Sequence, residues 1–170
     1  MSDYLTPKQQ FQEYWDAMYQ ICKHNGWGDP FNYSRGKEII IANFLGHTVA
    51  PSLAGADAYE DVDMNIPVEY KSTINKNIQA TYNGISIQET WEKQLEYLKN
   101  EKICKYKHHY YARFEEGKIV EIYKMTGDMV YEHIIPKLKT QFFREKKGKD
   151  PRLGTTISKK FIINNAEKLL

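Results

Sequence analysis

The stretch GADAYEDVDMNIPVEYKST, residues 55–73, combines a hairpin pattern with an unusual density of charge. Residues 56–59 and 66–72 have the composition of two short strands, and the acidic segment between them predicts the turn. Glu69 and Lys71 stand two positions apart in the second strand, so they should share one face of it. A strand with a purely structural role would send both side chains to water.

Negative charge gathers just before this pair. Four carboxylates fall within seven residues, namely Asp57, Glu60, Asp61 and Asp63. Asp57 is the best candidate to reach the face of Glu69, because it is flanked by two alanines and precedes the turn.

Asp57, Glu69 and the backbone carbonyl of Tyr70 would form a site made only of oxygen atoms. Mg²⁺ prefers such a site, with water and substrate phosphate completing its octahedron. Lys71 beside it could position or deprotonate an attacking water, and the cation would polarise a phosphate. The alternative is an exposed strand face with an ordinary ion pair. The Glu-x-Lys pattern alone is weak, since it also occurs at 116–118 and 145–147.

An Asp, a short hairpin and then an apolar residue followed by Glu-x-Lys is the motif of the PD-(D/E)xK nucleases. Ala56 stands here where the motif has Pro. The wider sequence resembles the small type II restriction endonucleases of that superfamily over nearly its whole length. The similar stretches are QEYWDAMYQICKHNGWGDPF, RGKEIIIANFLGHTVAP, GADAYE, VEYKST, YYARFEEGKIVEIYKM and KKFIINNAEK.

This resemblance implies a homodimeric, Mg²⁺-dependent enzyme that cuts double-stranded DNA at a short palindromic site, with Asp57, Glu69 and Lys71 as catalytic residues. It also implies functional pairing with a cognate DNA methyltransferase. The chain lacks the histidines that help to read bases in the family after the catalytic Lys, so a different DNA sequence is expected. Glu38 is either a further catalytic acid or an exposed helix residue, and the second interpretation is favoured.

DNA contacts are predicted in three segments, on residue chemistry suited to base edges and phosphates. The candidates are Asn32, Tyr33 and Ser34 before the second helix; Lys76, Asn77, Gln79, Thr81 and Asn83 after the catalytic strand; and Lys146, Lys147, Lys149 and Arg152 in a basic run. That run, residues 137–160, holds nine Lys or Arg and two acids. Each segment also has a plain structural explanation. The first could be a turn and helix cap, the second an ordinary polar loop, and the basic run a solvated face.

Composition fits one globular domain over residues 1–170. The chain has 41 % hydrophobic residues and a net charge of +2, which is not a disordered composition. Two cysteines supply neither a disulfide framework nor a zinc site. No secretory signal or membrane-length apolar run is present, so a cytoplasmic protein without a membrane partner is expected.

The order of elements predicts an α/β (α+β) fold, a restriction-endonuclease-like core with a mixed sheet flanked by helices. An N-terminal helix at about 7–25 carries an aromatic face that favours dimerisation. The other predicted elements are a helix capped by Ser34 and ended by Gly46, a strand at 48–51, a loop at 74–85, a helix after a capping box at 86–89, strands at 103–114 and 118–125, a helix capped by Asp128, a basic loop at 146–154 and a strand at 159–164.

Two other functions stay open from the sequence. One is a structure-directed nuclease of the same fold, such as a junction resolvase or a recombination nuclease. The other is a non-catalytic DNA-binding protein with a degraded site, which the intact set of Asp57, Glu69 and Lys71 argues against.

Overall fold

The computed structural model describes residues 5–51, 55–144 and 152–170. Within these ranges the chain forms five α-helices, a π-helical turn and eight strands. The helices are α1 (Pro7–His24), α2 (Arg35–Leu45), α3 (Trp91–Tyr97), α4 (Gly127–Phe142) and α5 (Lys159–Asn165), with the π-helical turn at Leu98–Lys102. The strands are β1 (Thr48–Val49), β2 (Ala58–Tyr59), β3 (Pro67–Thr73), β4 (Ala80–Ile85), β5 (His108–Glu115), β6 (Lys118–Thr126), β7 (Leu153–Ile157) and β8 (Glu167–Lys168).

Six of the described strands form one mixed sheet in the order β1-β2-β3-β5-β6-β8. β3 pairs antiparallel with β2 and parallel with β5, so it lies inside the sheet. One face packs on α2 through residues such as Ile41 and Val68. The other packs on α3, α4 and the separate β4–β7 ribbon, through a larger core that includes Leu98 and Ile134. The predicted fold class, a mixed sheet flanked by helices, is confirmed.

The first two helices follow their sequence signals. The side chain of Thr6 accepts from the backbone of Gln9, which completes the predicted capping box of α1. Gly46 adopts the left-handed conformation that ends α2. Ser34 precedes α2 but makes no side-chain cap, because its hydroxyl donates to Glu38 instead.

Both predicted hairpins are present. Ala58 pairs with Val68, so the acidic segment forms the turn between β2 and β3. In the β5–β6 hairpin, Glu116 and Gly117 both have positive φ, which is typical of a two-residue type I′ turn. β5 begins at His108 rather than at residue 103, because the π-helical turn and the segment after it occupy residues 98–107.

Two element predictions near the functional segments are wrong. Residues 74–85 are not all loop, since Ala80–Ile85 form β4, which pairs antiparallel with β7. Residues 159–164 are a helix rather than a strand, because the side chain of Ser158 caps the backbone of Phe161. Both segments are short, and tertiary pairing or a cap decides the conformation where periodicity is ambiguous.

Helix starts were also misplaced. α3 begins at Trp91 with Thr90 as its cap, beyond the predicted capping box at 86–89. α4 is capped by Thr126 rather than Asp128. The first strand ends at Val49. Of the predicted basic loop, residues 146–151 lie outside the described residues, and the following Leu153 belongs to β7.

No helix among the described residues is both long enough and apolar enough to cross a bilayer.

His108 and His109 point to opposite faces of the sheet. His108 contacts Glu60 on the face of α2, at 2.5 Å. His109 is fully buried on the other face, where its Nε2 lies 3.0 Å from the carbonyl oxygen of Ile103 and its Nδ1 lies 2.9 Å from the hydroxyl of Tyr82. Burial lowers the pKa of His109 to about 4.

We expect this buried histidine to make the protein acid-sensitive. The unfolded chain binds a proton near pH 6.5 and the folded chain only near pH 4, so stability is lost as pH falls through this range. The difference corresponds to roughly 3 kcal/mol, at about 1.4 kcal/mol per pH unit. Urea unfolding of the wild type and His109→Gln at pH 7, 6, 5 and 4.5 should show a steeper fall for the wild type. An equal loss of stability with falling pH in both proteins would show that His109 does not cause the acid sensitivity.

Candidate active site

Asp57 lies at the point where the β2–β3 pairing ends. Its backbone N–H donates to the carbonyl of Val68 at 3.2 Å, which continues the ladder by one position. Its carboxylate Oδ2 then accepts from the backbone N–H of Tyr70 at 2.7 Å. The carboxylate oxygen is therefore the acceptor for a strand N–H group that would otherwise need a backbone carbonyl as its partner. Because the N–H and C=O of one strand residue point the same way, the carbonyl of Tyr70 faces the same edge.

Glu69 and Lys71 share the face of β3 that looks toward the β4–β7 ribbon. Lys71 is paired with Tyr111 of the larger core in the β3–β5 register, which fixes that orientation. Their side chains form an ion pair and are 17 % and 26 % exposed, respectively. The alternative of an ordinary exposed strand face does not fit, because both side chains of the pair are mostly buried.

The electrostatics of the site are those of crowded carboxylates. Burial, and then the charges of Glu69 and Glu38, raise the pKa of Asp57 to about 8. For Lys71, burial lowers the pKa, but Glu69, Asp57 and Glu38 outweigh burial and leave it above the ordinary value. Asp57 therefore holds its proton more tightly than a free carboxyl does, and Lys71 is retained as a cation.

An open cavity of about 340 Å³ adjoins these groups. Asp57, Glu69 and Lys71 form one wall, and Thr81 and Asn83 of β4 form another. A third wall follows the π-helical turn and contributes Glu101, Lys102, Lys105 and Tyr106. Local sequence patterns do not predict this wall, because a π-helical turn has no strong local signature; such turns are frequent at functional sites.

Arg35 and Glu38 support Asp57 from α2. Glu38 is only 8 % exposed, so the favoured interpretation of an exposed helix residue is wrong. Its carboxylate accepts from Ser34 at 2.5 Å and from Arg35 at 3.2 Å. Arg35 is completely buried and donates to the backbone carbonyl of Asp57 at 3.3 Å. Sequence reasoning missed Arg35, since a single Arg in the first turn of a helix usually faces water.

The remaining acids of residues 55–73 serve other purposes. Glu60 lies on the opposite face of the sheet and accepts from the hydroxyl of Tyr110 at 2.6 Å. Asp61 accepts from the backbone N–H groups of Asn65 and Ile66, which closes the turn. Asp63 is exposed. Of the four acids before the pair, Asp57 is therefore the one beside Glu69 and Lys71.

The predicted DNA-binding residues are only partly brought together. Thr81 and Asn83 line the cavity, and the preceding Lys76, Asn77 and Gln79 are exposed on the approach to β4. The guanidinium of Arg152 lies near Gly84 of β4. Asn32 and Tyr33 are exposed before α2, whereas the hydroxyl of Ser34 is engaged by Glu38. Lys146, Lys147 and Lys149 lie outside the described residues.

The donor set fits Mg²⁺. Asp57 and Glu69 are oxygen donors whose mutual repulsion a dication would relieve, and the carbonyl of Tyr70 faces the same edge. Among the described residues, no group of three or more His, Cys, Asp or Glu side chains is arranged to hold a metal ion. Two carboxylates and one carbonyl would leave half of an octahedron to water and substrate, as Mg²⁺ usually requires.

No protein-family model matches the chain, and no curated protein matches it either.

Proposed function

We propose that the protein is a Mg²⁺-dependent endonuclease that hydrolyses phosphodiester bonds in double-stranded DNA at a short palindromic sequence, as type II restriction endonucleases do. The observation that carries the proposal is the juxtaposition of Asp57, Glu69 and Lys71 at an open cavity. Two carboxylates beside one ammonium group are the donors that phosphoryl hydrolysis needs. The resemblance to PD-(D/E)xK nucleases supports the same assignment.

Mg²⁺ bound by Asp57, Glu69 and the carbonyl of Tyr70 would act as a Lewis acid that stabilises negative charge on the phosphate. Lys71, held as a cation, donates hydrogen bonds to the attacking water and to a phosphate oxygen. The water oxygen forms a bond to phosphorus and one of its protons passes to solvent. The bond from phosphorus to the leaving nucleotide oxygen breaks, and that oxygen takes up a proton from solvent. Tyr70 holds Asp57 in place through its backbone N–H.

The β4–β7 ribbon is the proposed reader of DNA sequence. A two-stranded antiparallel ribbon fits the major groove, where base edges differ from one another. Thr81 of β4 contacts Thr156 of β7 across the ribbon at 3.1 Å, and both are exposed. Asn83 borders the same cavity as the catalytic residues, so base reading and cleavage would take place on adjoining surfaces.

Digestion of supercoiled plasmid DNA with Mg²⁺ tests the function. We expect discrete fragments that depend on Mg²⁺ and disappear in Asp57→Asn. Cutting confined to branched DNA would favour a structure-directed nuclease instead. DNA binding without any cutting would favour a non-catalytic binding protein. A cognate DNA methyltransferase would be expected to protect the recognition sites in the plasmid from cleavage.

A second copy of the chain is the proposed partner of α1. This helix exposes an apolar stripe in which Phe11 is 66 %, Tyr14 69 %, Met18 46 % and Ile21 54 % exposed. Trp15 joins the helix to the body by stacking on Phe31. Aromatic residues and Met are enriched at interfaces, and a two-fold dimer supplies two sites for the two strands of a palindrome.

We expect Met18→Glu to dissociate this dimer, because it places a charge in the middle of the apolar stripe. Gln20→Glu adds the same charge on the opposite side of α1 and should leave the dimer intact. Analytical ultracentrifugation at micromolar concentration distinguishes the two variants. A wild type that sediments as a monomer, both free and on DNA, would contradict the dimer and favour an enzyme that nicks one strand.

A further inference from the structure

Tyr82 connects the β4–β7 ribbon with the catalytic face of β3. It is 5 % exposed, and the Nζ of Lys71 lies 5.4 Å from the centroid of its ring. An ammonium group at this distance from an aromatic ring can be attracted by the negative face of the ring. Lys71 therefore has two neighbours that favour its cation, the carboxylate of Glu69 and the ring of Tyr82.

A chain of hydrogen bonds fixes the orientation of this ring. The carbonyl oxygen of Ile103 can only accept, so the Nε2 of His109 at 3.0 Å must carry its proton. The Nδ1 of the neutral ring is then an acceptor, and the hydroxyl of Tyr82 donates to it at 2.9 Å. Tyr111 donates in turn to the Tyr82 oxygen at 3.1 Å. With its hydroxyl held by two partners, the ring has little freedom to turn.

Tyr82 and its two neighbours along β4 all line the cavity. Thr81 and Asn83, the chain neighbours of Tyr82, are exposed and border the cavity. Alternation along β4 thus places polar side chains toward the proposed DNA surface and the ring of Tyr82 toward Lys71. A displacement of β4 would move both sets of side chains together.

We propose that Tyr82 is a positioning residue that holds the ammonium group of Lys71 and ties its location to that of the β4–β7 ribbon. The inference rests on the proposed function for its effect on cleavage. The contact between Tyr82 and Lys71 does not depend on that function. Since misplacing a reacting group by about 1 Å can cost roughly 100-fold in rate, the expected effect is large.

Cleavage kinetics give the first test. Tyr82→Leu removes the ring and should lower kcat by roughly 100-fold with KM changed little, whereas Tyr82→Phe keeps the ring and should lose less than about 10-fold. Tyr123→Leu, in the same core but separated from Lys71 by Tyr111 of the intervening strand β5, is the matched control and should keep kcat. If Tyr82→Leu fails to fold, Tyr82→Met fills a similar volume without a ring and replaces it.

Nuclear magnetic resonance gives a second test that needs no cleavage. With lysine labelled at its ε-carbon, the Lys71 signal is the one missing in Lys71→Arg. Currents in the Tyr82 ring should shift its ε-protons away from those of the other lysines. This shift should disappear in Tyr82→Leu and persist in Tyr82→Phe and Tyr123→Leu.

The outcomes separate the two proposals. A Lys71 signal that does not move in Tyr82→Leu, or an unchanged kcat in that variant, overturns the positioning role. A wild type that cuts no DNA, although its Lys71 signal moves in Tyr82→Leu, overturns the proposed function and leaves the positioning of Lys71 standing.

Discussion

Asp57→Asn should lower the rate of DNA cleavage by roughly three orders of magnitude or more. The amide has nearly the same shape as the carboxylate and can still accept from the N–H of Tyr70, so the hairpin should keep its geometry. What the substitution removes is one of two negative oxygen donors beside Lys71. DNA binding without divalent ions should be unchanged or stronger, because one fewer carboxylate repels phosphate.

The same substitution should stabilise the protein when no Mg²⁺ is present. A carboxyl whose folded pKa is raised binds its proton more tightly in the folded state, so it destabilises the fold at pH values above its unfolded pKa. We therefore expect Asp57→Asn to gain about 1 kcal/mol or more in unfolding free energy at pH 8. Mg²⁺ should raise the Tm of the wild type but not that of the variant.

Asp63→Asn is the matched control for both measurements. It removes the same charge from the same hairpin, but Asp63 is exposed at the turn. This control should cleave DNA at the wild-type rate and show the wild-type response of Tm to Mg²⁺. Full activity in Asp57→Asn would contradict the assignment of Asp57 as a metal ligand and would favour Asp61 or Asp63 in that role.

The hairpin around residues 55–73 could be predicted because its signals are local. Alternation in β3 sets the face of Glu69 and Lys71, and the acidic segment sets the turn. The nearness of Asp57 to this face follows once the two strands pair in the observed register. The pairing of these two strands is therefore enough to bring Asp57, Glu69 and Lys71 together.

The surroundings of the hairpin could not be predicted in the same way. In the sequence, Tyr82 belongs to a polar segment that predicts a loop. Its burial depends on pairing with β7, which lies about 70 residues further along the chain. Lys102 ends the π-helical turn and Lys105 lies in the segment after it, and both line the cavity. The burial of Arg35 comes from carbonyls of Trp27, Ala50 and Asp57 that converge only in the folded chain.

Arg35→Met should be among the most destabilising single substitutions in this protein. Arg35 is 0 % exposed, and its guanidinium donates to the carbonyls of Trp27, Ala50 and Asp57 and to the carboxylate of Glu38. Met fills much of the same volume but offers no donor. Three carbonyl oxygens would lose a charged partner, and a buried carboxylate would lose its cation.

Removing one partner of a buried ion pair typically costs about 3–5 kcal/mol, because the remaining charge is left uncompensated. We expect a loss of this size in urea unfolding of Arg35→Met at pH 7. Lys37→Met, two positions along the same helix, removes an equal charge from a half-buried side chain and should cost less than about 1 kcal/mol. A similar small loss in both variants would contradict the role of Arg35.

The double variant Arg35→Met with Glu38→Met separates the two parts of this cost. If the uncompensated carboxylate dominates, the double variant should recover most of the lost stability, since no buried charge remains. If the three carbonyl oxygens dominate, it should stay as unstable as the single variant. Recovery of stability without recovery of cleavage would then mean that cleavage needs Arg35 or Glu38 beyond their effect on stability; the hydrogen bond from Arg35 to the backbone of Asp57 is missing from both variants.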